Sequence, residues 1–196
     1  MPERSPDPAR RSERSRTAIL SATRKLSAEL GYQAMSIEAI AAAAGVGKQT
    51  IYRWWPSKGV LMLDMWGEQV QLQGEFPDTG DVAADLKVQI RGLVELANDP
   101  ELGPSLRSLI GAAQHEPALL EELLTSIVRP RIEACKRRLR KAQEDGQINR
   151  GVDLDIAVDL LYGGFYHRLV LPVTRLDDAF VNGIVDEALR GIGATL

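Results

Sequence analysis

The stretch that most limits what this chain can fold into is Ser36–Lys58, SIEAIAAAAGVGKQTIYRWWPSK. Ser36 has a side-chain oxygen suited to capping a helix start. Ile37, Ile40, Ala41 and Ala44 then repeat at spacings of three and four, which makes one inward stripe. The alanines Ala41 to Ala44 let a neighbouring helix approach closely. Gly45 stops that helix, Val46 can anchor the turn, and Gly47 adds backbone freedom. A second short helix is expected over Lys48–Trp55, with Ile51 and Trp55, four apart, facing inward. Lys48, Gln49, Thr50 and Tyr52 are left outward. Pro56 cannot comfortably continue that helix, and Ser57 can cap another. Two short helices around a tight turn, one presenting polar and aromatic side chains, read as a helix-turn-helix.

The surrounding chain reads as helices throughout. Residues 1–15 carry three prolines and several arginines without periodicity, the pattern of a flexible arm. Thr17–Leu30 has an apolar stripe of Ile19, Ala22, Leu26 and Leu30, and Gly31 is placed to end it in a left-handed conformation. This helix completes a three-helix head over residues 16–58. From Lys58 to Gln73 the helix is apolar on nearly all sides, so it is expected to be buried between elements. Further helices are expected over Asp81–Asn98, Pro104–Gln114, Pro117–Glu144, Asp155–Leu171 and Asp177–Leu189, with Pro130 kinking or breaking the long one. No segment alternates with period two long enough to argue for a strand. The expected fold is all-α, about nine helices, with the head followed by a helical body over residues 59–196.

Charge divides the chain in the same place. The net charge is −3, but residues 1–58 hold 10 Lys+Arg against 5 Asp+Glu, and the remainder carries −8. A small basic domain on an acidic body is the footprint expected of a phosphate-binding head. A solubilising arginine-rich tail would give a similar count. The single cysteine, Cys135, cannot form an intramolecular disulfide, which fits a reducing cytoplasm. The N-terminus lacks the apolar core of a signal peptide. The most apolar run, Ile156–Leu171, is interrupted by Asp159, His167 and Arg168 and is too short to span a membrane. Two distant histidines without cysteine partners offer no metal site. No serine elbow, phosphate-cradling glycine loop or paired carboxylates are present, so neither a cofactor nor an enzymatic activity is expected.

A short helix fits the ~12 Å wide major groove with its N-terminal residues at base edges. Lys48 can donate to guanine, Gln49 can pair with adenine, and the Thr50 methyl can touch thymine. Tyr52 and Trp54 can reach sugar and phosphate, although a Trp at position 54 equally suits a core. Arg53 can meet phosphate or an acidic neighbour such as Glu38. Lys58, at a helix start, is suited to phosphate. The string AIAAAAGVGKQTIYRWWPSKGVLMLDMW, with TAILSATRKLSAELGYQAMSIEAI before it, resembles the DNA-binding region of the tetracycline-repressor (TetR) family. The resemblance implies an Ω-shaped homodimer with three-helix heads and a ligand-binding body closed by a four-helix interface. It implies DNA contacts at Lys48, Gln49, Thr50, Tyr52, Trp54 and Lys58, and less specifically at Arg16 and Thr17. Ser36 joins them as the cap of the supporting helix. The family often has histidine where this chain has Trp54, which is bulkier and uncharged.

One short helix reads too few base pairs, so a twofold dimer is expected, its reading helices about one DNA turn, ~34–36 Å, apart. The last two helices are the expected interface. Leu160, Leu161, Gly164, Phe165 and Leu169 lie on one. Phe180, Val181, Ile184, Val185, Ala188 and Leu189 lie on the other. Both faces could instead complete a monomer core. An effector pocket is expected among Met62, Met65, Trp66, Leu93, Leu109, Ile110, Leu123 and Ile127, with Tyr162, Tyr166 and His167 as polar handles. That lining implies a small, largely apolar effector. The reading is a DNA-binding regulator, a repressor of near-palindromic operator DNA released by its effector. A helical scaffold and a small helical enzyme are the alternatives.

Overall fold

The structure is a computed structural model that describes residues 8–72 and 76–193. Every regular element among the described residues is helical: α1 (Pro8–Ala34), α2 (Ile37–Ala44), α3 (Lys48–Tyr52), α4 (Lys58–Leu72), α5 (Val82–Asn98), α6 (Leu102–Ala113), α7 (Pro117–Leu123), a π-helical turn (Leu124–Val128), α8 (Arg129–Glu144), α9 (Leu154–Val170) and α10 (Asp178–Gly193). Because α7, the π turn and α8 follow without interruption, the described residues hold nine helical runs. The all-α expectation holds. No helix among the described residues is long and apolar enough to cross a membrane.

The arm expected over residues 1–15 is helical from Pro8 onward, and residues 1–7 lie outside the described residues. Pro8 sits in the first turn, where its missing N–H has no intrahelical partner to lose. Gly31 breaks α1 as expected, but with φ 74° and ψ 167°. That is a glycine-only region rather than the left-handed helical one. Pro130 follows the π turn. Its ring would clash with the carbonyl four residues earlier in a regular helix, and a π turn relieves that crowding. The strain expected at Pro130 is thus taken up just before it, over Leu124–Val128.

Two compact units share the chain. The first comprises the chain up to Gln69 together with Pro100–Leu123. In it α1 packs on α6 and α2, α2 on α3, and α6 on α7. Ile19, Met35, Ile40, Ile51, Leu61, Met62, Met65, Trp66 and Leu109 form its core. The buried face of α1 is rotated from the expected stripe. Ile19, Leu20, Thr23 and Ser27 are buried, while Leu30 is 49% exposed. Two polar residues reach the core because each is hydrogen-bonded. Thr23 Oγ1 donates to the Ile19 carbonyl at 2.8 Å, and Ser27 Oγ donates to Ser105 Oγ at 2.9 Å. Trp66 Nε1 also donates to Ser105 Oγ, at 3.3 Å. As expected, α4 is apolar around most of its circumference and capped by Ser57, whose Oγ accepts from the Val60 N–H.

The second unit comprises Val70–Asp99 and the chain from Leu124 onward. Here α10 packs on α5 and α9, and α8 packs on α9. Leu86, Ile90, Cys135, Leu139, Leu161, Phe165, Val181 and Val185 are fully or almost fully buried. Much of the expected dimer seam therefore belongs to this chain's own core. Leu161, Phe165, Leu169, Phe180, Val181, Val185 and Ala188 are buried within the single chain. A side chain already enclosed by its own fold has no area left to bury against a second copy. Leu160 is 48% exposed, and Gly164, Ile184 and Leu189 are half-buried. A Cβ on Gly164 would approach Ile184 Cδ1 to 3.1 Å, so that glycine allows close packing of α9 on α10.

Candidate nucleic-acid interface

The helix-turn-helix is built by its own caps. Ser36 Oγ accepts from the Ala39 N–H at 3.1 Å, starting α2. Gly45 ends it in the left-handed region, φ 66° and ψ 32°, and the Val46 N–H reaches the Ala41 carbonyl at 3.0 Å. Gly47 has φ −78° and ψ 148°, an extended conformation open to any residue, so the turn does not use its freedom. The helix α3 is shorter than expected, stopping at Tyr52. Trp54 and Trp55 then donate their N–H groups back to the Ile51 carbonyl, at 2.9 Å each.

Two inward anchors fix α3 and its exit. Ile51 is fully buried and Trp55 is 3% exposed. Trp55 Nε1 donates to Asp64 Oδ2 at 2.9 Å. The opposite side faces solvent: Lys48, Gln49, Tyr52, Arg53 and Trp54 are exposed, and Thr50 is half-buried. Trp54 at 39% exposure stands outside the core, its ring tilted 33° to that of Trp55 at 6.1 Å. The acidic neighbour expected for Arg53 is taken by another residue. Lys48 Nζ donates to Glu38 Oε1 at 2.9 Å. That bond lowers the Glu38 pKa and raises that of Lys48. It is a solvent-exposed pair that phosphate can compete for.

Three expected phosphate contacts have different positions. Lys58 Nζ donates to the carbonyls of Tyr32 at 2.6 Å and Met35 at 3.0 Å, and lies 4.2 Å from the Tyr32 ring centroid. Its ammonium thus closes the end of the α1 segment, a natural place for a cation. Burial lowers its pKa, countered by Glu116. Arg16 is a strut between helices, with Nη2 on Asp64 at 2.9 Å and Nη1 on Glu68 at 2.5 Å. Thr17 is exposed, and its hydroxyl donates to the Glu13 carbonyl at 3.1 Å. Asp64, which the sequence reading passed over, accepts from both Arg16 and Trp55. Its only local signal is an acid set between Leu61–Leu63 and Met65–Trp66.

The residues expected to line an effector pocket divide between the two units. Met62, Met65, Trp66, Leu109 and Leu123 are core of the first unit, and Ile110 is half-buried there. In the second unit Leu93 and Ile127 are half-buried, Tyr162 is buried, and Tyr166 and His167 are exposed. None of these lines the cavity of about 560 Å³ in the second unit. That cavity is walled by Val88 and Gln89 of α5, by Phe76, Pro77 and Asp78, and by Arg131, Ala134, Arg137, Arg138 and Lys141 of α8. Periodicity identified apolar positions but not which of them would be filled by neighbours. The missed signal was the basic series at 131, 138 and 141, which recurs on one helix face.

Two family descriptions match the chain: "Bacterial regulatory proteins, tetR family" over residues 19–65, and "Tetracyclin repressor-like, C-terminal domain" over residues 76–188. The HTH-type transcriptional regulator YdeS of Bacillus subtilis is 32% identical over 94% of this chain and 93% of its own length. The DNA-binding transcriptional repressor TetR of Mycobacteroides abscessus is 30% identical, covering 91% of this chain and 94% of that protein. The crystal structure of the TetR family transcription regulator SCO0332 superposes with a TM-score of 0.74 at 40% identity, covering 91% of this chain and 98% of that one. The helix-turn-helix geometry and the matches at both ends of the chain agree: this chain belongs to the TetR family of helix-turn-helix transcriptional regulators.

Proposed function

We propose that this regulator acts as a cytoplasmic homodimeric repressor, reading a near-palindromic operator with α3 of each head and releasing it when a small molecule binds the body. The observation that carries the reading is the two-sidedness of α3. Ile51 and Trp55 are buried, which holds Lys48, Gln49, Tyr52, Arg53 and Trp54 in solvent on one rigid turn. Lys48, Gln49 and Thr50 are assigned to bases, and Tyr52, Arg53 and Trp54 to the backbone. Ser36 positions the unit by capping α2.

Dimerisation is assigned to the side of α9 left uncovered in the single chain. Ile156, Leu160 and Val170 are 56%, 48% and 51% exposed, with Gly163 among them. Residues 16–58 are assigned to DNA and the remainder to effector binding and dimerisation. The support helices α6 and α7 group with the head rather than with the second unit. Release is a population shift: the effector favours the state whose heads are wrongly spaced. Both α4 and the α7–π turn–α8 run pass from one unit to the other along the chain, so either can carry the change.

A gel-shift titration with DNA from upstream of its own coding sequence, over a range of salt, tests this. Specific binding is expected to weaken steeply with salt, because several phosphates are neutralised. Gln49→Ala should alter base preference without changing the salt slope. Salt-independent binding, or no sequence preference at all, would refute the operator reading.

A further inference from the structure

The cavity in the second unit contains an unsatisfied charged group. Arg138 is 4% exposed and lines the cavity wall. Its Nε donates to Asp85 Oδ2 at 2.6 Å, but its two terminal nitrogens, Nη1 and Nη2, are buried and have no hydrogen-bond partner. Neither neighbouring carboxylate makes a hydrogen bond to them. Asp85 already accepts from the Thr79 N–H at 3.1 and 3.2 Å and from its hydroxyl at 2.7 Å. Asp78 Oδ2 is held by Lys141 at 2.6 Å, and Asp78 Oδ1 lies 3.7 Å from Arg138 Nε.

A buried guanidinium whose two end nitrogens lack acceptors is costly unless something supplies oxygen. Those two nitrogens form the edge of a planar fork that matches a carboxylate or phosphoryl group. The cavity adds the positive side chains of Arg137 and Lys141, and Gln89, whose side-chain oxygen accepts from the Tyr162 hydroxyl at 2.7 Å. Phe76, Val88 and Ala134 give it an apolar part. At about 560 Å³ it has the size of a small-molecule site.

We propose that this cavity takes a small organic anion, its carboxylate or phosphoryl head on the free edge of Arg138 and its apolar body against Phe76 and Val88. We assign it as the effector site, an assignment that rests on the regulatory reading above. The effector is then amphipathic and negatively charged rather than largely apolar. The paired carboxylate Asp85 acts as a positioning residue: by accepting from Nε it fixes the orientation of the guanidinium.

The test is calorimetric titration of the full-length protein with octanoate, octyl phosphate and the uncharged octanamide. At least one anion should bind about tenfold or more tightly than octanamide, the difference expected for one charge-assisted hydrogen bond. A preference for octanoate identifies a carboxylic acid, and a preference for octyl phosphate a phosphoryl ligand. Arg138→Gln should abolish the preference. Because that change strips a buried carboxylate of its cation, Arg137→Gln carries the test if the variant does not fold. It should weaken anion binding about threefold, as removal of a more exposed charge does, and leave octanamide unchanged. Arg140→Gln, on α8 but outside the cavity, should leave all three ligands unaffected. Equal binding of anion and amide, no binding of either anion, or binding indifferent to Arg137 and Arg138 would overturn the site. Anion binding that leaves operator affinity unchanged would keep the site and remove its role as effector site.

Discussion

Replacing Lys58 by methionine separates two roles that its sequence position leaves confounded. A lysine at the start of α4 is suited to DNA phosphate, but here its ammonium donates to the Tyr32 and Met35 carbonyls at 2.6 and 3.0 Å. Methionine keeps most of the stem and removes the charge. Hydrogen bonds from a charged donor are worth about 1.5–3 kcal/mol each net. The cation over the Tyr32 ring adds roughly 0.5–1 kcal/mol. Against this stands the desolvation that lowers the Lys58 pKa, and the side chain keeps some solvent exposure. The loss is therefore at the low end of that range for the two bonds, about 3 kcal/mol, which for a chain of this size lowers Tm by about 6–12 °C. Thermal unfolding by circular dichroism measures that loss. Operator affinity is then titrated against salt at a temperature where both proteins are folded. The slope of log affinity against log salt should be unchanged, because no phosphate contact is lost. An unaltered Tm with a slope reduced by about 0.9 per head would refute the internal role and restore a phosphate contact.

Other consequences follow from single sites. Gly31→Ala should cost about 2 kcal/mol in urea unfolding, because φ 74° and ψ 167° suit glycine alone and the new Cβ would sit 3.0 Å from Ser108 Oγ; a stability equal to the parent's would contradict the strained backbone. Burial acts to raise the Asp85 pKa, but hydrogen bonds from Thr79 and Arg138 outweigh it and hold the pKa below the usual carboxylate range. Stability from this group is therefore present above about pH 4 and lost as pH falls through its lower folded value. Asp85→Asn should flatten the acid limb of the urea midpoint against pH, and an unchanged limb would count against the pairing. Burial pushes the Cys135 thiol up to about 11. Iodoacetamide at neutral pH should therefore label it only after denaturation, and rapid labelling of the native protein would contradict its burial.

How legible each part was follows from how far apart its partners lie. The Ser36 cap, the Gly45 stop and the inward pair of Ile51 and Trp55 all depend on neighbours within a few residues, and all stand as the sequence indicates. The rotation of α1 was not legible. Ser27 is buried against Ser105, 78 residues away, and its hydroxyl is within hydrogen-bond reach of both Ser105 Oγ and the nearby Arg24 carbonyl. The partners of Lys58 were not legible for the same reason: nothing beside it in sequence reveals carbonyls 26 and 23 residues earlier. The apolar faces of α9 and α10 are periodic in sequence, yet most of their residues are consumed by the chain's own packing.

By itself the sequence determined the helices, their caps and stops, and the outward chemistry of α3, because helix periodicity and terminal hydrogen bonds are local. The tertiary structure decided which apolar faces are filled, which cations are already engaged, and where a cavity remains. Those outcomes depend on partners brought together across the chain. Asp85 and Arg138, 53 residues apart, meet inside the second unit and leave the end of a guanidinium without an acceptor. No spacing rule encodes that meeting, because it exists only once two helices pack and their polar groups compete for the same few oxygens.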